Sequence, residues 1–396
     1  MIAAVIQPRI AQLSVIWLGM LSMSFYNIQP VLVGGFVTQL GLSDAGAGLV
    51  VISNVAGACT ALIAAALVNH NGKERSLVAI ALSLIAIGSI MSGLATSLTA
   101  LLAIRAVAGM GEGYLAAFVA ASIPRFRNPD RTYALVVITM SIYGVMGFLL
   151  FPPLLDRYGL LSVFGGIAAL ALLSFALLQF LPAPNPRHHH GSTAAAPHLY
   201  RAPTLLILLS LMALYTSANS LWTYYERIGA HFGIPSAKIG VSLSLGLGAS
   251  LLGSTLIALV AKGVGRAIPI AIGLLLALSA TVVLLLDDGY AAYTASVMMI
   301  FGSVGFMIPS YFGLLATRDP AGRLMILGTV GLWAGNISGP ALGASLLTSV
   351  GYNGLISVSG VLFLLALLAA SAAAFKMHHR GGLRPAPGEA QPRPAP

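Results

Sequence analysis

Long apolar runs fill almost the whole chain and are separated by short polar intervals. Runs of about 20 apolar residues match the length that an α-helix needs to cross a hydrocarbon layer about 30 Å thick. They do not alternate between polar and apolar positions, as the strands of a transmembrane β-barrel do. The pattern predicts an all-α polytopic membrane protein with about twelve transmembrane helices, near residues 11–36, 45–68, 76–96, 98–123, 132–155, 160–181, 203–226, 237–260, 266–286, 290–316, 324–349 and 352–375.

The composition agrees with a membrane environment. Of the 396 residues, 58% are hydrophobic and 8% are charged, and the mean hydropathy is +0.93. A water-soluble fold could not bury that much apolar surface. No small-residue cleavage site follows the first apolar run, so we interpret 11–36 as a spanning helix that stays attached. The single cysteine, Cys59, lies in an apolar run and is interpreted as a packing residue.

The distribution of Lys and Arg predicts the orientation. If both chain ends are cytoplasmic, 16 of the 20 Lys and Arg residues lie on the cytoplasmic side, while Arg157, Arg227 and Lys238 lie outside and Arg105 lies within the membrane. This bias favours cytoplasmic termini and an even number of spans. The formal net charge of +10 is scattered over short loops beside anionic lipid, so no nucleic-acid partner is expected. We expect the chain in the inner cell membrane.

A stretch rich in Pro, His and Ala divides the chain near its middle. It reads LPAPNPRHHHGSTAAAPHLYRAP at 181–203 and is typical of a cytoplasmic linker. We predict an N-terminal six-helix half over 1–181, a linker over 182–203, a C-terminal six-helix half over 204–376 and a disordered tail over 377–396. His188, His189 and His190 have neither Cys nor an acid beside them, so no metal ion or other cofactor is expected there.

The two halves repeat at an interval of about 192 residues. Such a six-plus-six duplication places a ligand site between the halves near the middle of the bilayer, where rocking can expose it to either side in turn. The pairs that carry the interval are Asn27 and Asn219, Gly72 and Gly265, Pro129 and Pro320, and Arg131 and Arg323. We therefore predict two pseudo-repeat halves around a central cavity.

The loop after the second span resembles a signature of the major facilitator superfamily, and the resemblance covers essentially the whole chain. The family signature Gly-x-Leu-Ala-Asp-Arg-x-Gly-Arg-Arg aligns with AALVNHNGKE at 65–74, in which Leu67, Gly72 and Lys73 fit. Asn69 and His70 stand where the family has Asp and Arg. The resemblance implies a gating loop formed by Gly72, Lys73 and Arg75.

The fourth span carries a second motif of that superfamily, an Arg followed by Gly at +4 and +6. It is met by Arg105, Gly109 and Gly111. The antiporter signature expected on the fifth span is absent from YGVMGFLLFPP at 143–153, and a similar pattern occurs on the eleventh span as GNISGPALG. The chain thus resembles a secondary transporter that works by alternating access, with a weak likeness to drug:proton antiporters.

Arg105 and Glu112 are charged residues inside the otherwise apolar fourth span. Seven residues apart, they lie about 20° from one another on one helix face. A charge that faces lipid costs at least about 2.5–3.5 kcal/mol, so both should face the protein interior or a cavity. We predict Glu112 as the proton carrier and Arg105 as a group that anchors an anion or biases Glu112. The alternative is a structural pair that only holds the fourth helix in place.

Polar and aromatic residues on three other spans are candidate walls of the cavity. On the seventh span such residues share one helix face, which ends at Glu226; beside Arg227, Glu226 is interpreted as part of a solvated ion pair. In the first span the missing N–H of Pro30 leaves a carbonyl free and allows a bend. We predict a substrate cavity lined by Tyr26, Asn27, Gln29, Tyr215, Asn219, Trp222, Trp333 and Asn336.

The sequence carries no HExxH, no Walker loop and no acid-rich metal site, so an enzyme is not expected. The first interpretation is proton-coupled export of a lipophilic or cationic compound. The second is proton-coupled uptake of an organic anion held by Arg105. A non-transporting receptor or sensor on the same fold is the alternative from another class. The expected partners are a small-molecule substrate, protons and the lipid bilayer, and we expect a monomer.

Overall fold

The computed structural model describes residues 2–67, 72–182, 202–318 and 323–381, and within them the chain forms fourteen α-helices. The predicted first span consists of three of these, α1 (Ile2–Ser22), α2 (Ser24–Asn27) and α3 (Gln29–Leu40). The other helices of the first half are α4 (Asp44–Leu67), α5 (Glu74–Leu94), α6 (Leu98–Ser122), α7 (Pro129–Tyr158) and α8 (Leu160–Ser174), with 3-10 turns at Ile123–Arg125 and Phe175–Phe180.

The second half consists of six long helices. They are α9 (Ala202–His231), α10 (Ser236–Val264), α11 (Ala267–Leu286), α12 (Tyr290–Arg318), α13 (Arg323–Ser349) and α14 (Gly351–Gly381). Because α14 continues to Gly381, residues 377–381 of the predicted tail are helical. Residues 183–201, which hold most of the predicted linker together with His188, His189 and His190, lie outside the described residues, as do residues 382–396. The proposed boundaries of the halves stay a prediction.

The helices account for the predicted twelve membrane crossings. Among the described residues, ten helices are long and apolar enough to cross a membrane by themselves. The broken first span and α13 complete the set of twelve. Many leucines are largely exposed, as at Leu252, Leu259 and Leu286. In a bilayer this apolar surface contacts lipid, because lipid tails replace water as the surrounding medium.

The first span is interrupted at Met23 and Ile28, on the N-terminal side of Pro30. Proline is tolerated in the first turn of a helix because the N–H it lacks has no helical partner there, which explains why α3 begins at Gln29. The carbonyl four residues before Pro30 belongs to Tyr26, and it accepts a hydrogen bond from Trp222 Nε1 on α9 at 3.2 Å. The free carbonyl expected at this bend therefore joins the two halves.

The repeat of about 192 residues is visible in the loops. Among the residues that the structure describes, six glycines have a positive φ between 64° and 81°, a conformation that other residues rarely adopt. They fall into three pairs at intervals of 192 or 193 residues: Gly41 with Gly233, Gly72 with Gly265, and Gly159 with Gly351. Each pair ends or begins a helix at the corresponding point of its half. The two halves thus share turn geometry as well as spacing.

The same interval recurs where helices cross. Gly113 of α6 lies directly against the backbone of Ala58 on α4, and Gly305 of α12 lies against the backbone of Ser250 on α10. Gly113 and Gly305 are 192 residues apart, and so are Ala58 and Ser250. Small residues allow such close approach between membrane helices. The α4–α6 pair and the α10–α12 pair are therefore equivalent packing units in the two halves.

Candidate functional site

Arg105 and Glu112 form a buried ion pair on one face of α6. Arg105 Nη2 lies 3.1 Å from Glu112 Oε1, and the two side chains are 0% and 4% exposed. The spacing of seven residues brings them together because both side chains lie on the same stripe of the helix. Among apolar surroundings a buried carboxylate needs donors and a buried cation needs an acceptor, and each supplies the other's need.

Asn54 of α4 completes this pair. Its Oδ1 accepts a hydrogen bond from Arg105 Nη2, and its Nδ2 donates to Glu112 Oε2 at 3.0 Å. Gly109 lies against the backbone of Asn54, so α4 and α6 are close enough for these bonds. The sequence-based prediction missed Asn54, although a lone carboxamide in the middle of an apolar span is itself a sign that a polar partner lies on a neighbouring helix. We refer to these three residues as the charged triad.

The remaining faces of the guanidinium contact aromatic rings. The centre of the Arg105 guanidinium lies 4.2 Å from the centroid of the Phe25 ring and 5.5 Å from that of Phe164. Its Nε and Nη1 are buried without a hydrogen-bond partner. Cation–π attraction partly replaces the missing acceptors. Arg105 contributes to neither of the cavities between the halves, so a ligand there meets Glu112 and not Arg105.

A cavity of about 210 Å³ lies between the two halves and has Glu112 in its wall. The first half contributes the first span, α4, α6 and α7, and the second half contributes α9 and α13. Most of the lining is apolar or aromatic, with carboxamides at three positions. The lining residues are Ser22, Met23, Tyr26, Asn27, Asn54, Val55, Ala58, Glu112, Gly113, Ala116, Met140, Tyr215, Leu332, Trp333 and Asn336.

A second cavity of about 160 Å³ adjoins the first, with which it shares Tyr26, Asn27 and Tyr215. Trp222 forms its aromatic wall, with its ring 4.8 Å from that of Phe301 and 6.3 Å from that of Tyr26. The remaining lining residues are Leu214, Ala218, Asn219, Leu247, Ser250 and Val304. The two cavities together form a mainly apolar site with polar groups at a few points, as small-molecule sites usually are.

The structure brings together all of the predicted cavity residues except Gln29, which lies beside the lining. Gln29 is buried and donates a hydrogen bond from Nε2 to Thr223 Oγ1 at 2.6 Å, so it joins α3 to α9. Tyr26 Oη donates to Asn219 Oδ1 at 2.9 Å. Two carboxamides of the lining keep an unpartnered atom, Asn27 Nδ2 and Asn336 Oδ1. These two groups remain available to a ligand.

Hydrogen bonds between the halves are found on the face opposite the chain ends, here called the far face. Asp44 at the start of α4 accepts from Arg227 Nε at 2.8 Å and from Tyr352 Oη at 2.7 Å. Ser236 Oγ donates to Asp156 at 3.2 Å. The contacts from Tyr26 and Gln29 to α9 lie deeper along the same seam. This far-face seam closes the cavities on that side.

The predicted ion pair between Glu226 and Arg227 differs from what the structure shows. Arg227 Nη1 lies 3.9 Å from Glu226 Oε2, whereas Arg227 Nε makes its closer bond to Asp44. The Glu226 side chain is 13% exposed and is therefore not solvated. The sequence offered no sign of Asp44 as the partner, since it precedes Arg227 by 183 residues.

The predicted gating loop lies on the face of the chain ends. Gly72 has a φ of 81°, and Lys73 directly precedes the first residue of α5. Both Lys73 and Arg75 are exposed. Asn69 and His70 lie outside the described residues. Within the described ranges no three His, Cys, Asp or Glu side chains are grouped as metal ligands would be.

Residues 15–324 match the Major Facilitator Superfamily, and the chain belongs to this family. It is therefore a multi-span membrane transporter. Two of its relatives are the multidrug resistance protein MdtG of Salmonella paratyphi B and that of Salmonella typhi, each 26% identical over 379 residues, or 88% of this chain and 91% of the relative.

Solved transporter structures share the fold. An auto-inhibited peptide transporter of the POT family superposes with a TM-score of 0.72 at 14% identity and covers 98% of both chains. The nucleoside transporter NupG gives 0.72 at 13% identity, over 93% of this chain and 99% of that one. A bacterial homologue of the human lysosomal transporter Spinster, inward-facing and unoccupied, gives 0.67 at 15% identity, over 96% and 99%. At these identities the likeness concerns the fold alone.

Proposed function

We propose that this protein exports lipophilic or cationic small molecules in exchange for protons by alternating access. The observation that carries the proposal is the position of Glu112: an acid in the wall of a mainly apolar cavity between two pseudo-repeat halves, closed on one face by the far-face seam. Rocking of the halves about such a site exposes it to each side in turn. The name of the relative MdtG, a multidrug resistance protein, agrees with substrates of this kind.

Proton exchange follows from the charge balance of the triad. With Glu112 ionised, its charge is cancelled by Arg105, 3.1 Å away, and a cationic or neutral substrate meets a site of no net charge. Protonation of Glu112 leaves the Arg105 charge uncompensated beside the cavity. That charge repels a cation, and the repulsion is strong because the lining of the cavity is mainly apolar. A proton on Glu112 and a cationic substrate thus disfavour one another, which is the coupling that an antiporter needs.

The proposed orientation places both chain ends in the cytoplasm of a bacterial cell, with the far-face seam outside. This follows from the predicted bias of Lys and Arg toward the face of the chain ends. In this orientation the structure is closed to the outside, so the cavity is in the arrangement that receives a substrate from the cytoplasm. A reporter that is active only outside the cytoplasm, fused after the last residue, should give no signal.

The other two interpretations receive less support from the geometry. Uptake of an organic anion requires Arg105 to reach the ligand, but its guanidinium lies behind Glu112, Asn54 and Phe25 and lines neither cavity. A receptor or sensor would bind a compound without moving it, so a flux measurement separates it from a transporter.

The proposal is tested in liposomes that hold the purified protein under a pH gradient. Two probes are followed, ethidium as a cation and a naphthylamine dye as a neutral lipophilic compound. We expect the gradient to drive accumulation of one or both, and we expect Glu112→Gln to abolish that accumulation because the amide keeps size and hydrogen bonding but cannot titrate. Downhill exchange of the probe should persist in this variant.

The matched control is Asp288→Asn, which removes a negative charge from the exposed loop between α11 and α12. It should accumulate the probes as the unaltered protein does. Failure of the unaltered protein to move either probe down or against a gradient would refute export of these compound classes. Wild-type proton coupling in stable, correctly inserted Glu112→Gln protein would refute the role of Glu112 as the proton carrier.

A further inference from the structure

One face of α9 follows the first span from the cavity to the far face. Asn219 accepts a hydrogen bond from Tyr26, and Thr223, one turn later, accepts one from Gln29. The next residue of this face is Glu226, seven residues after Asn219, and its carboxyl group lies directly against Gly34 of α3. Any side chain at position 34 would meet that carboxyl group. Glu226 therefore occupies the far-face seam itself, between the two halves.

The hydrogen bonds at this seam are unequally divided between two carboxyl groups. Asp44 receives two donors from the other half, Arg227 Nε at 2.8 Å and Tyr352 Oη at 2.7 Å. Glu226 Oε2 is buried with no hydrogen-bond partner, and Arg227 Nη1 approaches it no closer than 3.9 Å. An ionised carboxylate that lacks donors is costly in a buried place, whereas a protonated one is far less so. Asp44 is built to carry a charge, and Glu226 is not.

The charges on the neighbouring helices make the same distinction. Three carboxyl groups, those of Asp44, Asp156 and Glu226, lie near one guanidinium, that of Arg227. This guanidinium already donates a hydrogen bond to Asp44. On α3, the residue that lies against the Glu226 carboxyl group is Gly34, which has no side chain to titrate. The titratable groups that act on Glu226 are Arg227 on α9, Asp44 on α4, Asp156 on α7 and Tyr293 on α12. A negative charge on Glu226 would add to those of Asp44 and Asp156 on the opposite side of the seam.

We propose that Glu226 is a second proton-binding site, which must be protonated for the far-face seam to close. As the seam closes, the carboxylate takes up one proton from the far-face solution, and as it opens the O–H bond breaks and the proton returns to the same side. Each cycle therefore moves no net proton through Glu226, in contrast to Glu112. The site makes closure of the seam sensitive to the pH of the far-face solution. This inference rests on the alternating access proposed above and not on proton coupling through Glu112.

The test measures the opening of the seam without any substrate. Spin labels are placed at Thr96→Cys and Ala237→Cys, two exposed far-face positions on opposite halves, in protein that also carries Cys59→Ser. Pulsed electron–electron double resonance then gives the distribution of distances between the two labels as a function of pH. With Glu226 present, we expect the distribution to shift to longer distances as the pH rises. With Glu226→Gln, which imitates the protonated acid, we expect short distances at every pH.

Two further variants make the result specific. Asp288→Asn removes a charge from the exposed far-face loop between α11 and α12, and this variant should keep the pH dependence of the unaltered protein. Gly34→Ala pushes the carboxyl group toward water, where ionisation is easier, so the seam should open at a lower pH. The proposal is overturned if the distance in the unaltered protein does not depend on pH, if Glu226→Gln keeps that dependence, or if Glu226→Gln is open throughout. The alternating access on which this inference rests is tested separately, by transport of the two probes in liposomes.

Discussion

The α4–α6 pair of the first half and the α10–α12 pair of the second have equivalent packing but different chemistry. At the interval of 192 residues, the charged triad of Asn54, Arg105 and Glu112 corresponds to Gly246, Val297 and Val304. Val297 and Phe301 pack over Gly246, so side chains fill the space that the triad occupies in the first half. Val304 lines the second cavity as Glu112 lines the first.

This difference indicates what the charges are for. In the second half, the equivalent helices α10 and α12 approach each other just as closely, at Ser250 and Gly305, with apolar side chains in place of the triad. Charges are therefore not required to hold such a pair together. A buried ion pair is also weak support for stability, because the loss of hydration offsets much of the attraction between the charges. The comparison favours a functional role for the triad over the structural alternative.

The largest loss of stability should come from breaking the triad at one member. Arg105→Met keeps most of the side-chain volume but leaves Glu112 with one remaining donor, Asn54. Removing one partner of a buried ion pair typically costs about 3–5 kcal/mol. We expect a fall of that order in the free energy of unfolding, measured by denaturant titration in detergent. The matched control is Val297→Met at the equivalent position, where no charge loses its partner.

A small effect of Arg105→Met, equal to that of Val297→Met, would contradict the reading of the triad as a closed set of mutual partners. It would mean that Glu112 finds another donor or remains protonated when Arg105 is absent. The pH dependence of the unfolding free energy separates these two outcomes, since a protonated acid in the folded state adds stability as the pH falls.

The fold could be predicted almost completely from the sequence, because both of its determinants, the apolar runs and the internal repeat, can be recognised without knowing which helices are neighbours. A run of about 20 apolar residues needs no partner to be recognised as a membrane helix. The predicted repeat of about 192 residues is also present in the structure. Gly41 and Gly233, which both have a left-handed backbone conformation, show that it extends to the turns. The bend that Pro30 allows in the first span is present and lies just before the proline, which stands in the first turn of α3.

The site was predicted less completely, because its partners lie far apart in the chain. Helical spacing placed Arg105 and Glu112 together, and seven of the eight residues proposed for the cavity wall line one of the two cavities. It could not identify Asn54 as their partner or Asp44 as the partner of Arg227, since those pairs depend on which helices are neighbours. Gln29 shows the converse: its position on the correct span suggested a cavity residue, but its side chain bonds to Thr223 between α3 and α9.

The second prediction concerns the glycine contacts that the two halves share. In Gly113→Ala the new methyl group meets the backbone of Ala58, and in Gly305→Ala it meets the backbone of Ser250. Forcing an extra carbon into a packed interface costs about 1–3 kcal/mol. We expect both variants to lose stability in this range and by similar amounts, measured in the same titration. A loss confined to Gly113→Ala would show that the α4–α6 and α10–α12 crossings are not equivalent.

The last prediction makes the first half resemble the second, with the smallest expected change in stability. A triple variant, Asn54→Leu with Arg105→Met and Glu112→Leu, replaces every member of the triad by an apolar residue of similar size, so that no partner is left unsatisfied. Replacing all members of a buried polar set in this way is often neutral or stabilising. We expect a free energy of unfolding within about 1 kcal/mol of the unaltered protein.

Stability and function should separate in this triple variant. If the triad carries protons, a pH gradient should no longer drive accumulation of ethidium or the naphthylamine dye, even though the protein is folded and stable, because the cavity wall then has no acid at position 112. If the triad is only a structural device, the variant should recover both stability and proton-driven transport. Since Arg105→Met alone is expected to be unstable, the contrast between the single and the triple variant distinguishes a lost proton site from a damaged fold.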